Sequence, residues 1–117
     1  MKRILNKTEA GFAGERDAAF FWLSQHPQAK MVAQNYRVKA GEIDLIFEDR
    51  DTLVFVEVRT RSNSLVAEPI DSITKTKIAR LGRAIQAFLL VYQGRAKNVR
   101  VDYLFKTGEK PWQHIRG

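Results

Sequence analysis

Cysteine is absent from this chain of 117 residues, which excludes a disulfide scaffold, a zinc–thiolate site and a thiol nucleophile. Long apolar runs are absent as well. Stretches such as Ala18 to Leu23 span only a few residues, far short of the roughly 20 that a membrane-crossing helix needs. Proline is scarce, with 3 residues, and glycine is modest, with 7; neither clusters into a linker, and no repeat or low-complexity tract appears. The opening segment MKRILNKTEAG has no apolar signal core or cleavage pattern, so a cytoplasmic protein with no membrane partner is expected. Histidine is limited to His26 and His114, too far apart in sequence to suggest a ligand pair.

What is present is ordinary for a globular domain: 44% hydrophobic and 28% charged residues. One domain over residues 1–117, with its core from about 7 to 115, is the expectation. The charge is not ordinary. Lys and Arg number 20 against 13 Asp and Glu, a formal charge of +7. Residues 1–58 hold eight basic and nine acidic side chains, whereas residues 59–117 hold twelve and four. A basic half of this kind suits a polyanion, nucleic acid before an anionic membrane surface. A basic protein without such a partner is the alternative.

Asn6-Lys7-Thr8-Glu9 has the form of a capping box and predicts a helix from Lys7 to Gln25, stopped by Pro27. Phe12, Ala19 and Leu23 would form its core stripe, with Phe20 flanking. Gly11 and Gly14 inside it each weaken a helix by about 1 kcal/mol relative to alanine, so they are either tolerated or mark a close approach. Strands are expected at Met31 to Lys39, Glu42 to Glu48 and Leu53 to Thr60, separated by turns at Ala40-Gly41 and at Asp49 to Thr52. A loop from Ser62 to Pro69 leads to a helix from Ile70 to Tyr92, with Ile78, Leu81, Ile85, Phe88, Leu89 and Tyr92 on one arc. A strand from Asn98 to Phe105 would place Val99, Val101, Tyr103 and Phe105 on one face, and Pro111 to Ile115 suits a short edge strand.

The second and third strands carry the chemistry. A turn centred on Arg50-Asp51 sets Asp49 opposite Thr52 and brings Asp44 opposite Glu57. One face of the hairpin is then Ile43, Leu45, Phe47, Val54, Val56 and Val58, which must be core. The other carries Glu42, Asp44, Ile46, Glu48, Leu53, Phe55, Glu57 and Arg59. Like charges facing each other across a sheet are destabilising, so the Asp44–Glu57 pair calls for a cation or a shared proton. Magnesium and similar hard ions take carboxylate oxygens; Asp44, Glu57 and the Val58 carbonyl suit one, and Glu15, beside the apolar stripe of the first helix, could complete the set. Alternatively, Glu57 pairs with Arg59 or Arg61 and Asp44 with another surface base.

Gly14-Glu15, Asn35-Tyr36-Arg37, Gly41-Glu42-Ile43-Asp44-Leu45-Ile46 and Phe55-Val56-Glu57-Val58-Arg59-Thr60-Arg61 follow one another in a way that resembles the bacterial YraN-like family of the PD-(D/E)XK nuclease superfamily, near archaeal Holliday junction resolvases. Looser matches are Lys77 and Leu81, then Arg100 with Asp102. The resemblance implies an α/β, restriction-endonuclease-like core: a helix, three antiparallel strands, a helix and one or two further strands, in a mixed sheet flanked by helices. It implies Mg2+ or Mn2+ as cofactor, Glu15, Asp44 and Glu57 as acidic site residues, and hydrolysis of a DNA phosphodiester. Arg59 stands where the superfamily has a lysine. An arginine does not deprotonate in proteins, so Arg59 could steady a phosphate or pair with Glu42 across the strands, but not serve as a base. Lys75 or Lys77 could supply an ammonium instead.

Arg61, Ser62, Lys75, Lys77, Arg80 and Arg83 are the candidate nucleic-acid contacts, suited to backbone recognition rather than base reading. Trp22, Trp112 and Tyr36 could stack on unpaired bases or fill the core. The resulting expectation is a metal-dependent endonuclease on branched or structured DNA, with a homodimer a natural arrangement for cutting paired strands. The alternatives are a catalytically weak binding module of the same fold, or a scaffold that offers its basic surface to another partner.

Overall fold

The computed structural model of the chain describes residues 9–61 and 74–117, with side chains from residue 14 onward. Helix α1 spans Glu9–Gln25. Strands β1 (Lys30–Val38), β2 (Gly41–Asp49) and β3 (Thr52–Arg61) follow, then helix α2 (Lys75–Val91) and strands β4 (Asn98–Thr107) and β5 (Gln113–Ile115). The five strands form one sheet in chain order. β3 and β4 run parallel, as the α2 crossover between them allows, and the other neighbours are antiparallel. Asp49 pairs with Thr52 as the turn chemistry predicts, and Arg50 takes a left-handed φ of 60° there. The expected first residues of the first helix, Lys7 and Thr8, the 62–69 loop and the expected first residues of α2 lie outside the described residues.

The sheet is buried on both faces. Leu45, Phe47, Val54, Val56, Val58 and Leu104 pack against Ala18, Ala19 and Trp22 of α1. Ile46, Leu53 and Phe55 pack against Leu81, Ala84 and Phe88 of α2. Two apolar layers around one sheet are what a mixed α/β arrangement requires.

Three expectations about faces change. The buried stripe of α1 is Glu15, Ala18, Ala19 and Trp22, at i, i+3, i+4 and i+7. Phe20 is 80% exposed, and Leu23 packs only at the margin. Trp22 sets this orientation: its ring stacks on Phe47 at 4.2 Å and its Nε1 donates to Asp102 at 3.2 Å. On α2, Ile78 and Leu89 are exposed because the core arc centres on Leu81, Ala84 and Phe88. Ile43 leaves the face of Leu45 and joins Ile46 under α2. This slip in alternation coincides with Asn35, at a φ of 53°, between the β1 residues that pair with Ile43 and Leu45.

β4 differs as well. Phe105 is buried but Val99 is 49% exposed, while the opposite face carries the fully buried Asp102 and Leu104. Asp102 accepts from Arg100, His114, Trp22 and the Gly117 N–H, which ties α1, β4, β5 and the C-terminal segment together. Among the described residues no helix is long and apolar enough to cross a membrane.

Candidate metal centre

The β2–β3 ladder ends at Leu45↔Val56. One step further, Asp44 uses its side chain in place of the backbone: Oδ2 accepts the Val58 N–H at 2.8 Å. Glu57 lies beside it. Burial, the adjacent Asp44 charge and a hydrogen bond with Asp44 push the Glu57 carboxyl up to about 9, against the opposing pull of Arg59. The facing acids therefore do what like charges in low dielectric must do, and one of them holds a proton at neutral pH.

Arg59 does not reach across to Glu42. Its Nη2 donates to Glu57 Oε2 at 2.5 Å and its Nη1 to the Val58 carbonyl at 3.2 Å, so it folds back along its own strand. Its Nε is buried with no acceptor. Glu42 instead meets Arg37, its β1 partner in register, at 3.7 Å. The arrangement joins the two readings of Glu57: it borders Asp44 and is ion-paired with Arg59.

Glu15 reaches the same place from α1. It is 3% exposed, and one carboxylate oxygen from each of Glu15, Glu42 and Asp44 lies within 4.8 Å of the others. All these donors are carboxylate oxygens, with no nitrogen or sulfur, which is the donor chemistry of magnesium and manganese and not of zinc or copper. The residues fit the ion that the resemblance implies. Glu42 was missed as a member; the signal available in the sequence was its i, i+2 spacing from Asp44, obscured by its apparent pairing with Arg59.

A cleft of about 250 Å³ opens over the centre, lined by Glu42, Asp44, Glu57, Arg59, Lys77, Arg80 and Leu81. Lys77 and Arg80 come from the first half of α2. Thr74 caps that helix, its hydroxyl accepting the Lys77 N–H at 3.2 Å, and Gly41 lets α2 sit close: a Cβ there would fall 2.2 Å from the Arg80 carbonyl oxygen. Lys75 and Arg83 are exposed on α2 but do not line the cleft. Arg61 lies on the same strand as Arg59, with its Nη1 buried and lacking an acceptor. Ser62 lies outside the described residues. Tyr103, the β4 register partner of Glu57, also borders the acids; burial and then the Glu57 charge raise its hydroxyl, with Arg59 opposing.

The aromatic candidates are occupied elsewhere. Trp22 is fully buried, Tyr36 packs edge-on against Phe88 at 5.2 Å, and Trp112 stacks with Phe21 at 6.3 Å.

The family model described as Uncharacterised protein family UPF0102 matches residues 14–105. The chain belongs to this family. A UPF0102 protein of Beutenbergia cavernae is 36% identical over 115 residues, 95% of this chain and 96% of the relative. One from Nitrosococcus oceani is 45% identical over 87 residues, 74% of this chain and 70% of the relative. The UPF0102 match runs from Gly14 through Phe105 and so spans Glu15, both acidic strands and the Lys77–Arg80 turn. Among solved structures, the Holliday junction resolvase of Archaeoglobus fulgidus superposes with a TM-score of 0.56, covering 87% of this chain and 72% of the resolvase at 13% identity. That likeness establishes the restriction-endonuclease-like fold expected from the sequence.

Proposed function

We propose that this UPF0102 protein is a divalent-metal-dependent endonuclease that acts on branched or otherwise structured DNA. The observation that carries the reading is the convergence of buried carboxylates where the β2–β3 ladder opens, under a rim of cationic side chains from α2. The superposition on a Holliday junction resolvase supports the substrate class.

Asp44 and Glu15 would hold the metal, with Glu57 adjoining. A bound Mg2+ or Mn2+ would polarise the scissile phosphate and lower the pKa of an attacking water. Arg59, Lys77 and Arg80 face the cleft and would oppose charge building on the phosphate oxygens. Arg61, Lys75 and Arg83 would extend the basic surface along the DNA backbone. A cytoplasmic homodimer would bring two such centres to the two strands of a junction. The test is cleavage of end-labelled duplex, flap and four-way-junction DNA with magnesium or manganese against chelator, beside Asp44→Asn protein prepared identically. Metal-dependent cutting that Asp44→Asn loses supports the proposal; equal cutting by both exposes a contaminant.

Arg59 favours a second reading. Its guanidinium binds Glu57 and the Val58 carbonyl, two groups expected at the ion, and it cannot act as a base. A binding module that holds DNA without cutting it would retard every substrate and cleave none.

A further inference from the structure

Glu57 and the Val58 carbonyl are the expected partners of Asp44 at the metal, yet both are engaged by a cation that the chain itself supplies. We infer that Glu42 is a direct ligand of the divalent ion, completing a three-carboxylate set with Glu15 and Asp44, and that Arg59 holds Glu57 outside that set. The inference rests on the metal-dependent reading above and concerns which side chains hold the ion.

The distances favour this set. In octahedral coordination at 2.0–2.1 Å, opposite oxygens lie about 4.2 Å apart and adjacent ones about 3 Å. The oxygens of Glu15, Glu42 and Asp44 already lie within 4.8 Å of one another, so small side-chain rotations close them on one ion. Among the described residues Glu57 does not belong to that group. Glu42 and Asp44 are two residues apart on β2, and both line the cleft.

The competing interactions differ in strength. Arg59 donates to Glu57 at 2.5 Å, with the two side chains 25% and 11% exposed; a charge-assisted bond this short and sheltered is among the stronger ones. An ion entering through Glu57 would have to displace the guanidinium or sit beside it. The Arg37–Glu42 pair is 3.7 Å long, with side chains 34% and 26% exposed. A partly exposed pair at that distance is a weaker competitor for its carboxylate than the short Arg59–Glu57 contact. Arg59 thereby holds Glu57 in place by a hydrogen bond along its own strand, and the ion would sit between α1 and β2, which carry the three carboxylates.

Manganese binding to the full chain, followed by calorimetry and by the electron paramagnetic resonance signal of free Mn2+, tests this. Glu42→Gln and Asp44→Asn should each weaken binding at least tenfold, whereas Glu57→Gln should change it less than threefold. Arg37→Gln, which removes the Glu42 ion pair but no ligand, should also stay within threefold. A tenfold loss in Glu57→Gln with none in Glu42→Gln overturns the assignment while leaving the metal-dependent reading intact. A parent protein that neither binds manganese nor cuts DNA sinks that reading itself. Should Glu42→Gln fold poorly, carboxyl carbon-13 shifts of the parent titrated with magnesium decide: Glu42 must move in step with Asp44 and Glu15. A Glu42 signal that stays fixed while Glu57 moves refutes it.

Discussion

Two buried acids in this molecule have opposite fates, and the difference lies in their donors. Asp102 is fully buried, and burial alone would raise its pKa; hydrogen bonds from Arg100, the Gly117 N–H, His114 and Trp22 outweigh that and hold it at about 2. Its carboxylate stabilises the fold above the unfolded value near 3.9, and that contribution is lost as pH falls toward 2. Asp102→Ala leaves Arg100 and the Trp22 N–H without their acceptor and should cost about 3–5 kcal/mol, read from urea denaturation at pH 7. A loss under 1 kcal/mol would show that water replaces the carboxylate. Glu57 is raised to about 9 by burial and Asp44, so its sign is reversed. Its contribution is present below the unfolded value near 4.5 and lost as pH rises through about 9. The urea midpoint of metal-free protein should fall between pH 6 and 9 in the parent and stay flatter in Glu57→Gln; parallel slopes would remove Glu57 as the cause. The hairpin register made the Asp44–Glu57 neighbourhood legible, because two periods of two and one tight turn fix it. Asp102 was not legible as a hub, since its donors come from Trp22, Arg100, His114 and Gly117 and only the fold assembles them. Glu42 was misplaced because it has two arginine candidates, Arg37 as its β1 register partner and Arg59 by extension of the hairpin register beyond the point where the ladder ends, and the choice between them depends on side-chain direction.

At the scale of elements, strands were easier to read than helix faces. Each strand was identified within two residues at either end, the last included, because alternating residues and polar turns mark their limits. Helix faces depend on which large side chain finds a partner. Trp22 finds Phe47 and Asp102, turning Phe20 outward, and Ile43 changes layers where Asn35 distorts β1. Gly41 looked like turn chemistry, yet its role is contact: an added Cβ would lie 2.2 Å from the Arg80 carbonyl oxygen and 2.9 Å from its carbon. Backbone cannot yield as a flexible side chain does, so α2 must shift. Gly41→Ala should destabilise by about 1–3 kcal/mol and displace Lys77 and Arg80 from the cleft, weakening DNA binding in a variant that still folds. Circular dichroism melts and fluorescence anisotropy on the same preparation check both; parent-like values in each would mean that α2 does not set the rim.

Over the whole molecule the cationic side chains and the acidic centre stand in tension, and salt separates them. The second half of the chain carries twelve basic residues against four acidic ones, while the first half brings Glu15, Glu42 and Asp44 together at one point. A phosphate approaching that point meets repulsion unless the ion is present, but Lys77 and Arg80 at the rim attract it regardless. Binding to a four-way junction should therefore weaken linearly in log affinity against log salt, with each neutralised phosphate of a duplex arm adding about −0.9 to the slope. Lys77→Gln with Arg80→Gln should reduce its magnitude by roughly 1.8 if each side chain meets one phosphate. Lys110→Gln with Arg116→Gln, exposed and outside the cleft lining, serves as the charge-matched control and should leave the slope near that of the parent. Anisotropy titrations across a series of salt concentrations measure all three proteins. Equal reductions in both double variants would mean that net charge alone draws DNA, and the cleft would then have no special claim on the phosphate backbone. A reduction confined to the α2 pair would place the backbone over the carboxylates, where the proposed metal would meet it.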